Sequence, residues 1–299
     1  MRWSEKVMRS LDGRAVVLQT ARGEAQLARE GRGPQVLVSH GGPGGFDLGL
    51  AWSRHLRDGG CELLALSRPG YLRTPLSSGP TPERQADLYA AVLDVLSIER
   101  VAVLGFSAGA PAAVHFAARY PERTRALLLD AAILMPFEPP ISTIRRATYE
   151  SGVLVWMSRQ LVLRRPEAMA RFMIDGVSRG LTSQQRRAAA KWITSDPARL
   201  QSFQEQFSAI APARYRRAGS RNDDANQRVL APLPFGDVTA PTLIAHGTNE
   251  SVVPLEHPEK AASEIGDAEL ILVEEGHHIL SLCRNYGPVA KRQLELASG

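Results

Sequence analysis

Six short apolar runs, alternating with segments of helical pattern, constrain the fold of this 299-residue chain more than any other feature. Each run is rich in Val, Leu and Ile and nearly continuous in apolar residues, which is typical of strands covered on both faces of a sheet. The alternation predicts an α/β fold with a mostly parallel central sheet flanked by helices. The six runs are "QVLVSH", "CELLALS", "RVAVLGF", "RALLLDAA", "PTLIAHG" and "AELILVEE".

Two further runs near the N-terminus, "RAVVLQT" and "EAQLARE", lie on either side of Arg22 and Gly23. Short runs separated by a turn of this kind predict an antiparallel pair of strands. Helices are predicted over "PERQADLYAAVLDVLS" and "GPVAKRQLELAS", whose apolar residues recur at helical spacing.

The alternation breaks once, between about residues 135 and 235. This stretch contains helical patterns in "ESGVLVWMSRQLVL" and "PEAMARFMIDGVSRGL", and the polar "GSRNDDANQ" predicts a loop. Because about a hundred residues are far too many for a plain connection, we interpret the stretch as a helical cap. The predicted division is a core of residues 1–134 and 236–299 and a cap of residues 135–235.

The cap is basic. From Ile141 to Leu230 there are sixteen Arg or Lys and seven Asp or Glu, a net of 16 − 7 = +9, against +5 for the whole chain. The cations are dispersed at helical spacing without interleaved aromatic residues, which favours a solvated surface over a nucleic-acid surface. We therefore expect no nucleic-acid partner and a cap that covers the site.

The remaining composition predicts a soluble cytoplasmic protein. No apolar run reaches the roughly eighteen residues of a membrane-spanning helix, and "MRWSEKVMRSLDG" lacks the apolar region of a secretory signal. The two cysteines, Cys61 and Cys283, have no C-x-x-C spacing and are expected to be reduced. No membrane partner is expected, and the sequence leaves the oligomeric state open.

Gly105-Phe106-Ser107-Ala108-Gly109 follows a predicted strand and precedes a predicted helix. A G-x-S-x-G pentapeptide in this context is typical of a nucleophilic serine on a tight turn. The turn leaves no room for side chains two residues before and after the serine, which explains both glycines. Pro111 then falls in the first helical turn, where its missing N–H costs little.

A serine nucleophile needs a general base and an acid that orients the base. The turn after the last predicted strand offers His277 and His278, and we expect His277, directly after Gly276, to face Ser107. The loop after "PTLIAHG" offers Glu250 as the acid. The backbone N–H of Ala108, next to the nucleophile, is the first expected donor to a developing oxyanion.

Five blocks in order resemble the α/β-hydrolase superfamily, in particular its cap-bearing serine hydrolases: "VSHGGPGG", "LSRPGYLRT", "LGFSAG", "HGTNESVVP" and "EGHH". The resemblance covers about two-thirds of the chain, everything outside the predicted cap. It implies the chain order serine, acid, histidine, and it implies Gly42 as the second oxyanion donor. The "HGGPGG" loop also resembles proline iminopeptidases.

Three departures from the family pattern leave alternatives open. The family usually has Asp where Glu250 stands. Some relatives take the acid from the end of the preceding strand, where this chain has Asp130. The usual "D-x-P-G-Y-G-x-S" reads "SRPGYLRT" here, so this loop is expected to have a different shape.

The function implied is hydrolysis of an ester, amide or related acyl bond of a small molecule by a carboxylesterase-like serine hydrolase. The alternatives are an aminopeptidase of the proline iminopeptidase type, a carbon–carbon bond hydrolase or perhydrolase, and a non-enzymatic ligand-binding protein. No cofactor or metal is expected, because the chain lacks H-E-x-x-H, paired cysteines and the glycine spacings of nucleotide-binding loops.

Overall fold

The computed structural model describes residues 3–138 and 150–299, and its centre is an eight-stranded sheet in the order β1-β2-β4-β3-β5-β6-β7-β8. β1 pairs antiparallel with β2 and β2 with β4, and all other neighbours are parallel. The predicted antiparallel pair and the six predicted parallel strands are therefore confirmed. The strands are β1 Val16–Thr20, β2 Gly23–Gly31, β3 Gln35–Ser39, β4 Glu62–Leu66, β5 Val101–Phe106, β6 Thr124–Asp130, β7 Thr242–Gly247 and β8 Ala268–Val273.

The helices of the described residues cover the two faces of this sheet or lie between β6 and β7. They are α1 Trp3–Asp12, α2 Phe46–Trp52, α3 Arg54–Asp58, α4 Pro82–Val95, α5 Ala110–Arg119, α6 Gly152–Arg164, α7 Pro166–Val177, α8 Ser183–Ser195, α9 Pro197–Ser208, α10 Arg217–Arg228, α11 Glu256–Glu264 and α12 Gly287–Ser298.

Successive residues of β5 enter two different cores. Val101 and Val103 pack with apolar residues of α4 and α5 on one face. Ala102 and Leu104 pack with α2 and α12 on the other. All of them are fully buried, which explains why the run is apolar at every position and not at every second one.

The parallel strands bring the functional loops to one edge. Ser39 at the end of β3 is in register with Gly105, and Phe106 at the end of β5 is in register with Asp130. Because the carboxyl ends of parallel strands share an edge, the segments after β3, β5, β6 and β7 start side by side. Sites of open α/β sheets form at this edge.

Helices α6 to α10 lie between β6 and β7; we call them the helical insertion. The predicted cap begins at residue 135, and its residues 139–149 lie outside the described ranges. The prediction of a loop at "GSRNDDANQ" is wrong, because these residues belong to α10. Its buried residues, Gly219, Asp223 and Gln227, recur every fourth position and so share one face. That face is small or polar, so an apolar pattern does not reveal it.

Candidate active site

Ser107 sits on a left-handed turn between β5 and α5. Its φ is 50°, a conformation that side chains adopt rarely and that indicates local strain. A Cβ at Gly105 would lie 2.7 Å from Ala113 Cβ, and one at Gly109 would collide with the backbone carbonyl of Ser39. The two glycines are therefore required by close approach, as the sequence predicted.

His278 connects Ser107 to Glu250. Its Nε2 lies 3.1 Å from Ser107 Oγ, and its Nδ1 lies 2.8 Å from Glu250 Oε2. An ionised carboxylate only accepts hydrogen bonds, so Nδ1 carries the proton. Nε2 of the neutral ring is then the acceptor for the Ser107 hydroxyl.

The prediction that His277 faces the serine is wrong, because its side chain points into the protein below the loop. Its Nδ1 accepts the backbone N–H of Ile279 at 3.2 Å, and the backbone N–H of His277 donates to Cys283 Sγ at 3.3 Å. The chain turns in the left-handed region at Glu275, where φ is 54°. Burial lowers the pKa of His277 to about 4, which keeps it neutral.

Glu250 is held by the turn that follows it. Oε1 accepts the backbone N–H groups of Val252 at 2.6 Å and Val253 at 3.2 Å. Burial raises the pKa of the carboxyl, but the charge of His278 and the hydrogen bonds from His278 and Val252 lower it by more. The net pKa is below the ordinary value, so Glu250 is an ionised acceptor.

Asp130, the alternative acid, belongs to a separate buried network. It accepts hydrogen bonds from Trp52 Nε1 at 3.2 Å, from the Tyr286 hydroxyl at 2.9 Å and from Gln293 Nε2 at 2.7 Å. Burial raises its pKa to about 6, although these three bonds lower it. The ring of His278 pairs with Glu250 instead, which is the alternative that the sequence favoured.

The two predicted oxyanion donors are neighbours. A Cβ built on Gly42 would lie 3.9 Å from the Cβ of Ala108, so the loop after β3 faces the turn after β5. The same Cβ would lie 2.9 Å from Asp223 Oδ2 and 3.0 Å from Tyr71 Oη. A side chain at position 42 would therefore displace these groups. The donor roles of Gly42 and Ala108 stay predictions.

Sequence reasoning missed the residues that hold this loop. Asp223 lies on α10, and Arg68 stands in the "SRPG" segment where the structure buries it. The only signal was the departure of "SRPG" from the usual family pattern, which indicates a changed environment without naming the partner.

The helical insertion also contacts the loops of Glu250 and His278. The backbone N–H of His278 donates to the carbonyl of Val177 at 3.3 Å, and the backbone N–H of Arg179 donates to the carbonyl of Asn249 at 2.8 Å. Gln185 Nε2 donates to Glu275 at 2.7 Å. Helices α7 and α8 are thus hydrogen-bonded to the loop of His278, and the connection between them is hydrogen-bonded to the loop of Glu250.

The described ranges also bear on metal binding and on membrane-spanning helices. Within residues 3–138 and 150–299, no group of three or more His, Cys, Asp or Glu side chains is placed to hold a metal ion. No helix of the same ranges is long and apolar enough to cross a membrane.

The chain is similar to known proteins over most of its length. A family model described as alpha/beta hydrolase fold matches residues 34–282. An uncharacterized hydrolase of Bacillus subtilis is 27% identical, over 87% of this chain and 90% of the relative. The 2-hydroxy-6-oxo-2,4-heptadienoate hydrolase of Pseudomonas putida is 26% identical, over 88% of this chain and 89% of the relative.

Among solved structures, an alpha/beta hydrolase fold protein from Nakamurella multipartita is 34% identical, with a TM-score of 0.90 over 95% of this chain and 99% of that chain. An esterase from Thermogutta terrifontis is 19% identical, with a TM-score of 0.57 over 95% of this chain and 99% of that chain, and shares the fold. The chain belongs to the alpha/beta hydrolase fold family and is a hydrolase.

Proposed function

We propose that this hydrolase cleaves an ester, amide or related acyl bond of a small molecule through Ser107, His278 and Glu250. The observation that carries the proposal is the hydrogen-bonded path from Ser107 Oγ through His278 to Glu250. Glu250 fixes the ring with its Nε2 unprotonated and stabilises the positive charge that the ring acquires during reaction.

The acylation step follows from this geometry. Ser107 Oγ attacks the carbonyl carbon while its proton moves to His278 Nε2. The N–H groups of Gly42 and Ala108 stabilise the negative charge on the carbonyl oxygen. His278 then gives the proton to the leaving oxygen or nitrogen as its bond to carbon breaks, and the acyl group stays on Ser107.

Deacylation reverses the roles. A water molecule attacks the acyl carbon and passes its proton to His278 Nε2. The bond between the acyl carbon and Ser107 Oγ breaks, and His278 returns the proton to Oγ. The products are a carboxylic acid and the alcohol or amine released in the first step.

The second candidate is hydrolysis of a 2-hydroxy-6-oxo-dienoate, the substrate class in the name of the Pseudomonas putida relative. Such a compound has no ester or amide bond, so its hydrolysis breaks a carbon–carbon bond beside the 6-oxo group. Its carboxylate calls for an unpaired cation. Arg68 and Arg216, which flank the Gly42 loop, are both paired with carboxylates, which ranks the acyl bond first.

An aminopeptidase is less favoured for a related reason. It needs a carboxylate for the free amino group of its substrate. Three carboxylates of the insertion are already in ion pairs, Glu150 with Arg221, Asp175 with Arg186 and Asp223 with Arg68.

The test is a substrate panel combined with a nucleophile variant. The panel holds p-nitrophenyl esters of increasing acyl length, aminoacyl-naphthylamides and a 2-hydroxy-6-oxo-dienoate. We expect ester turnover, fluorophosphonate labelling at Ser107, and a loss of about 10⁶ in kcat for Ser107→Ala, since losing a triad nucleophile has that magnitude. Exclusive turnover of the dienoate would favour the second candidate. An unlabelled Ser107 with no turnover in the panel would reject the triad.

A further inference from the structure

The glycine loop from His40 to Gly45 is held at both ends by buried guanidinium groups. At its start, Arg68 Nε donates to the carbonyl of His40 at 2.6 Å, and the Arg68 backbone N–H donates to His40 Nε2 at 3.0 Å. At its end, Arg216 Nη1 donates to the carbonyl of Gly44 at 2.6 Å. Both arginines are only 1% exposed.

Each guanidinium is paired across the boundary between the core and the helical insertion. Arg68 of the core holds Asp223 of α10 through two bonds, Nη1–Oδ1 at 2.8 Å and Nη2–Oδ2 at 2.5 Å. Arg216 of the insertion holds Asp47 of α2 through bonds of 2.9 and 2.7 Å. Two-bond pairs of this kind fix orientation as well as distance.

The Arg68–Asp223 pair lies directly against Gly42. The position of a Cβ on Gly42 is 2.9 Å from Asp223 Oδ2, and the Tyr71 hydroxyl donates to the same oxygen at 2.6 Å. The carboxylate and the Tyr71 hydroxyl therefore fill the space beside the Gly42 Cα, so they limit where this peptide can lie. Without Arg68, the negative charge of the carboxylate would oppose a developing oxyanion held by the same loop.

The α10 end of the insertion is packed closely on the core at this place. A Cβ at Gly219 would collide with the ring of Tyr71, and the N–H of Gly219 donates to the carbonyl of Gly70 at 2.9 Å. The hydrogen bond from Leu72 N–H to the carbonyl of Tyr215 is 2.6 Å. α10 is thus tied to the same loop that carries Arg68.

We propose that Arg68 and Asp223 are positioning residues of the oxyanion site: their ion pair sets the place of the Gly42 N–H relative to Ser107. This inference rests on the proposed function. If the ion pair sets this position, stabilisation of the transition state depends on α10, which carries Asp223.

The test replaces the pair by uncharged residues of similar size, in the double variant Arg68→Met with Asp223→Leu. Exchanging a buried ion pair for packed apolar residues is often neutral for stability, so a folded protein is expected. The readouts are kcat and KM for the best ester of the panel, and the affinity of a boronic acid that forms an anionic tetrahedral adduct on Ser107.

We expect kcat to fall about 10- to 100-fold with KM changed less than about threefold, because a misplaced oxyanion donor costs less than the 10²–10³ of a deleted one. The boronic acid should lose affinity by a similar factor. The control is Arg73→Met with Asp12→Leu. Arg73 lies in the same loop as Arg68, and it forms an exposed ion pair with Asp12 of α1 through two bonds of 2.9 and 2.7 Å. This control variant should change neither quantity.

Unchanged kcat and boronic acid affinity in a folded double variant would overturn the inference and reduce the pair to a structural role. If the double variant does not fold, Arg68→Lys takes its place: it keeps the charge but cannot donate to His40 and to both oxygens of Asp223, and it should show the same selective loss of kcat. If the wild type neither labels nor turns over, the proposed function fails and the inference falls with it.

Discussion

Glu250 divides its two carboxylate oxygens between its own turn and His278. Oε1 accepts the backbone N–H groups of Val252 and Val253, while Oε2 lies 2.8 Å from His278 Nδ1. The side chain of Glu is one methylene longer than that of the Asp that the family pattern usually has, and here Oε1 of the longer side chain is held by two backbone N–H groups of its own turn. The longer acid is therefore accommodated by a specific pair of hydrogen bonds.

This division predicts that neither Asp nor Gln replaces Glu250. Glu250→Gln removes the charge and favours the wrong ring tautomer, so kcat should fall about 10³- to 10⁴-fold. Glu250→Asp keeps the charge but cannot reach both the turn and His278, so a loss of about 10- to 100-fold is expected. Steady-state ester hydrolysis measures both. Asp130→Asn is the control and should keep kcat; a strong loss there with an active Glu250→Gln would transfer the acid role to Asp130.

The two adjacent histidines should respond differently to substitution. His278→Ala removes the base, and the rate of fluorophosphonate labelling at Ser107 should drop by at least about 10³. His277→Asn keeps an acceptor near Nδ1 for the Ile279 N–H, so labelling should stay within about fivefold while the free energy of unfolding falls by about 1–3 kcal/mol. Labelling rates and urea denaturation are the measurements. Equal labelling losses in the two variants would contradict the assignment of His278.

The close backbone approach at Gly109 predicts a steric effect on folding. In Gly109→Ala the new methyl group would collide with the carbonyl oxygens of Ser39 and His40, which are rigid backbone atoms at the end of β3. We expect the free energy of unfolding to fall by at least about 3 kcal/mol. Gly266→Ala is the matched control, because nothing lies within 4 Å of its added Cβ. Urea denaturation of both proteins checks this, and a Gly109→Ala protein as stable as the control would show that the turn relaxes.

The sequence was sufficient for the sheet and for the turn of Ser107, because both depend on local patterns. Strands buried on two faces read as continuous apolar runs, and the glycines at 105 and 109 follow from close approach. The choice between His277 and His278 was not local. It depends on the left-handed turn at Glu275 and on the contact of Gly276 with the end of β7, where a Cβ on Gly276 would lie 2.9 Å from the Cα of Gly247.

α10 escaped prediction for a different physical reason. Its buried face consists of Gly219, Asp223 and Gln227, and it is held by close backbone approach and by an ion pair whose partner, Arg68, is 155 residues away in the chain. A periodic pattern of apolar residues reveals only helices that are buried through apolar contacts. A helix that packs through polar contacts lacks this pattern, and its sequence therefore predicts a loop. Because Arg68 and Asp223 are far apart in the chain, the sequence also does not predict that they hold the Gly42 loop.

The buried network around Asp130 predicts a dependence of stability on pH. Its pKa in the folded protein is raised by burial to about 6, above the ordinary value of about 3.9 that applies to the unfolded chain. Between these values the folded state holds a proton that the unfolded state has released. Stability from this group is therefore fully present below about pH 4 and is lost as the pH rises through 6.

We expect this loss to be about 3 kcal/mol, since two pKa units correspond to roughly 1.4 kcal/mol each. Asp130→Asn removes the titration: its carbonyl oxygen can still accept from Trp52 and Tyr286, while its NH2 group no longer accepts from Gln293 Nε2, a loss that does not depend on pH. The stability of the variant relative to the wild type should therefore rise between pH 4 and pH 7, whatever the other titrating groups contribute to both proteins. Urea denaturation at four pH values across this range measures the difference. A difference that is constant with pH would mean that Asp130 titrates alike in the folded and unfolded chain, and that its three hydrogen bonds offset the cost of burying its charge.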